Sequence, residues 1–155
     1  TTTAPGTGGE KKATEAELYL LDLATKKVAW HAAVFPGVQS YVDLCLGPAG
    51  LVFGFADRTR FFVFDPAKRT VIHEEKTGAR LGPCASQQGP RAFVRGRGEA
   101  IYILFAKGIA RLDPVTFQIA LLATSPVPIT VGGDYLDGRL YFGSGSHVYS
   151  FAVAE

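Results

Sequence analysis

Three segments of this chain repeat one design. Leu18-Tyr19-Leu20-Leu21-Asp22, Phe61-Phe62-Val63-Phe64-Asp65 and Ile109-Ala110-Arg111-Leu112-Asp113 are short runs closed by an aspartate. Each is followed by a polar turn and then by a second apolar stretch. A weaker fourth copy, Val148-Tyr149-Ser150-Phe151, has Ala152 where the aspartate would stand. The aspartates lie 43 and 48 residues apart. A period of this length is one supersecondary unit, which cannot bury its apolar surface alone and must stack on its neighbours. Glycine or proline interrupts nearly every candidate helix, and no long segment carries a 3.6-residue period, so the units are built of strands.

The spacing matches the roughly 40–50 residues of a four-stranded propeller blade, and the predicted fold class is all-β, a β-propeller of four-stranded antiparallel blades. With strands A to D running outward from the axis, the aspartate-closed segments are C strands. Lys27–Val34, Thr70–Glu75 and Gln118–Ala123 follow as D strands. Leu51–Phe55, Ala100–Phe105 and Arg139–Gly143 are B strands, aromatic and β-branched as strands prefer. A strands cover about Ser40–Leu46, Arg91–Val94 and Ile129–Tyr135, with Gly132-Gly133 suited to crowding at an axis. Asp137-Gly138 marks a tight hairpin. Asp22, Asp65 and Asp113 open turns in which a carboxylate accepts from backbone N–H groups two residues on; each stands alone and is read as a turn residue, not a calcium ligand. The order reads 2, 4, 4 and 3 strands, or about three and a quarter blades over residues 17–155. That is too few to close a ring. Remaining blades of a longer chain, or a second chain, are the partners this implies. The expectation is the C-terminal part of a larger propeller, with residues 1–16 as a linker or disordered tail.

Hydrophobic residues make up 47% of the 155 and charged residues 19%, which describes a folded domain with a sizeable core. A net charge of +2 with scattered basic residues excludes a nucleic-acid footprint. No apolar run approaches the roughly 18 residues of a membrane span. The absence of Met and the opening Thr1-Thr2-Thr3 fit a processed or excised piece; an extracytoplasmic or secreted location is the expectation. Cys45 and Cys84 make neither a disulfide framework nor a metal site. A bridge between them is compatible with their places near successive inner strands, but two free, buried thiols is the preferred reading.

Leu21-Asp22-Leu23-Ala24-Thr25-Lys26-Lys27-Val28-Ala29-Trp30 resembles the blade motif of quinoprotein-type propellers, Ala-x-Asp-x-x-Thr-Gly-Lys-x-x-Trp. Asp22, Thr25, Lys27 and Trp30 match; Leu20 replaces Ala and Lys26 replaces Gly. The resemblance covers one good copy of about 11 residues. Later copies place His73 and Leu121 at the Trp position. It implies that Trp30 docks against the neighbouring blade. It implies no quinone, whose ligands have no counterpart here, and no cofactor is expected.

In such a ring the D-to-A and B-to-C loops share one face, the usual place for a ligand. Aligning the repeats sets Gln39 opposite Gln88, Tyr41 opposite Pro90, and Val42 opposite Arg91 and Thr130. The B-to-C loops add Asp57, Arg58 and Arg60, then Lys107, then Ser144, Ser146 and His147. Gln39, Tyr41, Arg58, Arg60, Gln88, Arg91, Lys107 and His147 are therefore the candidate ligand-binding residues: a net basic face with amides and one phenol, suited to an anionic or carbohydrate-like ligand through guanidinium forks, or simply a solvated rim. His31 and His73 fall on outer strands. No three or four residues converge as metal ligands. No nucleophile, base and orienter can be assembled, and no catalytic residue is assigned. Paired carboxylates remain open among Asp43, Asp57 and Asp134. The favoured function is a binding or scaffold segment. The alternative is part of a propeller enzyme, a polysaccharide hydrolase or lyase or a lactonase-like protein, with the rest of its site on other blades. Regucalcin-like lactonases carry acidic metal ligands where this chain has Gln39, Gln88, Arg91 and Thr130, which weighs against that reading.

Overall fold

The computed structural model describes Thr3, residues 13–85 and residues 92–153. Among these residues it is all-β, with thirteen strands in four antiparallel sheets. Sheet 1 pairs β1 (Leu18–Asp22) with β2 (Lys27–Ala32). Sheet 2 is ordered β3 (Tyr41–Leu46), β4 (Val52–Ala56), β5 (Arg60–Asp65), β6 (Thr70–Lys76). Sheet 3 is ordered β7 (Phe93–Arg95), β8 (Ile101–Phe105), β9 (Gly108–Leu112), β10 (Ile119–Thr124). Sheet 4 has β11 (Val131–Leu136), β12 (Arg139–Ser144) and β13 (His147–Ala152). One helical turn, α1 (Gly78–Leu81), lies between sheets 2 and 3. The aspartate-closed strands β1, β5 and β9 thus lie in three separate sheets.

Each sheet is a meander because short turns return the chain beside the strand it has just left. The turns repeat. Asp22 Oδ1 accepts from the N–H groups of Ala24 and Thr25 at 2.8 and 3.1 Å. Asp65 Oδ1 accepts from Ala67 and Lys68 at 3.0 and 3.1 Å, and Asp113 Oδ1 from Val115 and Thr116 at 2.8 and 3.0 Å. These bonds, that to the later N–H first in each case, hold all three carboxylates below their usual range. Four residues after each aspartate the chain enters the left-handed region, at Lys26 (φ 57°), Arg69 (φ 56°) and Phe117 (φ 63°).

Strands with a period of two turn alternate side chains to opposite faces, and in sheets 2 and 3 both faces are covered. Phe53, Phe55, Phe61 and Val63 meet Phe93, Ile101, Ile103 and Phe105 in a core between sheets 2 and 3. Phe62 and Phe64 turn the other way, toward Leu18, Leu20 and Trp30 of sheet 1. Tyr102, Leu104 and Ile109 meet Leu140, Phe142 and Phe151 between sheets 3 and 4. The sheets therefore stack face to face in chain order. The first strands of sheets 2, 3 and 4 are neighbours: β7 lies beside both β3 and β11. Trp30 stacks on Phe64 of the next sheet, with ring centroids 5.2 Å apart.

Two local features differ from the sequence reading. The crowding at Gly132-Gly133 comes from within sheet 4: β11 bulges between Val131 and Asp134, and a Cβ on Gly133 would lie 1.5 Å from the carbonyl oxygen of Tyr141. Part of the expected tail is docked. Thr3 N–H donates to the Gln39 carbonyl at 2.8 Å, and Ala16, 1% exposed, donates to that of Val38 at 2.7 Å.

Candidate functional site

The loop between β4 and β5 is the most strongly built part of the expected face. Asp57 and Arg58 both have positive φ, 44° and 63°, a conformation that side chains other than glycine adopt only when their surroundings hold them there. The side chains supply that hold. Asp57 accepts from the N–H of Gln39 (3.0 Å) and of Ser40 (2.9 Å), clamping the segment that enters β3. Arg58 reaches the next sheet: its Nε and Nη2 donate to the carbonyl of buried Cys84 at 3.0 and 2.8 Å, while the Cys84 N–H returns a bond to the Arg58 carbonyl at 2.8 Å.

Tyr41 and Arg60 gather around Phe35. The Tyr41 and Phe35 rings stack at 6.4 Å, and the Tyr41 hydroxyl accepts from the Phe35 N–H at 3.2 Å. Burial raises the phenol above its usual range. The Arg60 guanidinium lies 4.8 Å over the Phe35 ring and 3.7 Å from Glu74. Gln39 accepts a 2.9 Å bond from the Thr3 hydroxyl and donates to the Gly37 carbonyl at 2.8 Å. Gln39, Tyr41, Arg58 and Arg60 are thus occupied with intramolecular contacts.

Lys107 and His147 line two different clefts. Lys107 is exposed beside Gly78, Arg80, Pro83 and Thr124, in a cleft of about 380 Å³. Arg80, which sequence reasoning passed over, is spoken for by Glu75 at 2.6 Å and the Ile119 carbonyl at 3.1 Å. His147 opens β13 beside Asp134, Tyr141 and Ser146, in a trough of about 490 Å³. Gln88 and Arg91 lie outside the described residues.

Asp43 sits at the β3 bulge with φ 50° and accepts from the N–H of Phe93 in the next sheet at 2.9 Å; Asp134 accepts from Tyr135 N–H at 2.8 Å. His31 pairs with Glu17 at 2.7 Å, and His73 packs between Phe61 and Phe117. No cluster of three potential metal ligands occurs among the described residues. Cys45 and Cys84 are free and buried. Burial raises both thiols, Cys84 to about 12, so neither offers a thiolate near neutral pH. Among the described residues no helix is long and apolar enough to cross a membrane.

No family model matches this chain, and no curated protein matches it.

Proposed function

We propose that the chain is an arc of a β-propeller, about three and a quarter blades, that serves as a binding or scaffold module and is completed by further blades or by a second chain. One observation carries this reading: four antiparallel sheets stack in chain order, and the first strands of sheets 2, 3 and 4 are adjacent. The right-handed twist of strands keeps stacked sheets from lying parallel. Convergence of one strand from each sheet is the geometry of blades about an axis. In this reading the basic loop face takes an anionic or carbohydrate-like ligand. Lys107 is its leading contact, since Gln39, Tyr41, Arg58 and Arg60 are engaged within the fold.

Spin-label distances test the arc. Leu46→Cys with Leu136→Cys labels the first strands of sheets 2 and 4, and Ile72→Cys with Val148→Cys labels their outermost strands; all four positions are exposed. The inner pair should be clearly the closer, and equal separations would reduce the assembly to a plain stack. For the ligand, binding to immobilised uronic-acid oligosaccharides should weaken in Lys107→Glu. Unchanged binding would remove the loop face from the proposal.

A further inference from the structure

The cleft beside Lys107 is walled by consecutive sheets in the middle of the chain. One wall is α1 and the residues that follow it, from Gly78 to Pro83; the other is the β8–β9 turn with the far end of β10. Each wall is fixed by bonds that leave the space between them untouched. The turn is tied on three sides: Ala106 N–H donates to the Pro83 carbonyl, Ser125 N–H to the Lys107 carbonyl and Ile129 N–H to the Ala106 carbonyl, each at 2.9 Å. The helical turn is tied back through Thr77, whose N–H and hydroxyl both donate to the Thr59 carbonyl at 2.8 and 3.0 Å. Arg80 ties it again, to Glu75 and to the Ile119 carbonyl. The concavity of about 380 Å³ therefore exists before any ligand arrives, and its size is that of a small-molecule site.

Its chemistry is divided. At one end stands the Lys107 ammonium, which has no ion-pair or hydrogen-bond partner among the described residues. The second cation of the lining, Arg80, is neutralised by Glu75, and no carboxylate belongs to the described lining. The other end is apolar. Leu81 is buried, and Leu121 remains 48% exposed. A Cβ on Gly108 would lie 3.0 Å from Leu121 Cδ1, so the leucine rests against the bare backbone next to Lys107, facing Pro83 across the cleft. Thr124 brings the one side-chain hydroxyl of the described lining, which has no side-chain amide. A polyhydroxylated ligand would leave hydroxyls without side-chain partners here, whereas a hydrocarbon body needs none.

We propose that this cleft binds a small organic anion, a carboxylate carried on a compact apolar body, with the carboxylate at Lys107 and the body against Leu121 and Pro83. The inference rests on the reading of Lys107 as the leading contact of the loop face and narrows the ligand of that face from a sugar acid to an apolar one. About 60 Å² of apolar surface taken from water favours such a ligand over a bare or hydrated anion about tenfold.

Titration with benzoate, glucuronate and benzamide, followed by amide NMR spectra, tests the site. Benzoate should bind saturably and shift the amides of Gly82, Gly108 and Leu121, about tenfold more tightly than glucuronate, which has the same charge on a hydroxylated body. It should also bind more tightly than uncharged benzamide, and Lys107→Gln should abolish that difference. Leu121→Gln, a change at an exposed position, should weaken benzoate and leave glucuronate unchanged. Benzoate no tighter than benzamide, indifference to Leu121→Gln, shifts confined to other parts of the chain, or no saturation at about 50 mM would overturn the proposal. Glucuronate as tight as benzoate, with both dependent on Lys107, would overturn it while leaving the loop-face reading in place; binding of both unchanged by Lys107→Gln would overturn the two together.

Discussion

Replacing Arg58 with alanine separates a structural cation from one held ready for a ligand. The guanidinium makes two bonds, of 3.0 and 2.8 Å, to the carbonyl of Cys84, a fully buried residue. A hydrogen bond to a charged group contributes about 1.5–3 kcal/mol, and a buried acceptor left without its partner costs about 1–3 kcal/mol. Here one acceptor receives both bonds, and Arg58 itself is only half-buried, so the loss is about 2 kcal/mol rather than twice that. The positive φ of 58 is common to both proteins, since alanine strains there as arginine does. For a chain of this size about 2 kcal/mol lowers the thermal midpoint by about 4–8 °C. Urea unfolding followed by circular dichroism is the assay. Arg58→Lys should recover only part of the loss, because an ammonium on a flexible stem cannot offer the planar fork. Lys107→Ala, a change at an exposed lysine, should stay within about 0.5 kcal/mol of the parent. An Arg58→Ala protein as stable as that control would show that the fork is not holding Cys84, and Arg58 would return to the pool of ligand contacts.

Trp30→Ala should cost about 2–3 kcal/mol, below the range for a fully buried aromatic because Trp30 is half-buried against Phe64; circular dichroism must report it, since the chain has a single Trp. Arg69→Gly should stabilise by about 0.5–1 kcal/mol, because glycine occupies the left-handed region without the Cβ penalty; a loss in urea midpoint would contradict the turn geometry. The same change at Phe117 should destabilise, since its ring packs against Phe53 and His73. The turn carboxylates titrate lower in the folded chain than in the unfolded one. Their contribution is therefore complete above the unfolded value of about 4 and is lost as pH falls below it through the folded values. The urea midpoint should drop between about pH 5 and 3, and the triple variant Asp22→Asn, Asp65→Asn, Asp113→Asn, which keeps an acceptor at each turn, should drop less over that interval.

The strands and turns were legible in the sequence because their causes are local. An Asp, two residues and a polar turn satisfy their own hydrogen bonds wherever the chain goes, so Asp22, Asp65 and Asp113 could be placed in turns without knowing a neighbour. The run Phe61-Phe62-Val63-Phe64 announces a strand covered on both faces, since an apolar side chain at every position leaves neither face for water. The candidate site was less legible. Charge and chain position made Arg58, Arg60, Gln39 and Tyr41 look available to a ligand. Yet Arg58 is consumed by a carbonyl 26 residues away, and the Gln39 side chain by Thr3 across 36. Asp43, one of three carboxylates whose pairing the sequence left open, caps an N–H 50 residues on.

By itself, then, the order of residues determined thirteen strands, their grouping and the turns between them, because alternation and turn chemistry act over a few residues. The tertiary structure alone decided which polar groups are spent inside the fold and which remain exposed, because a guanidinium or carboxylate chooses its partner from whatever the stacked sheets bring within about 3 Å. It also decided that the β12–β13 ladder runs without a bulge, since a bulge exists only between strands that have already found each other.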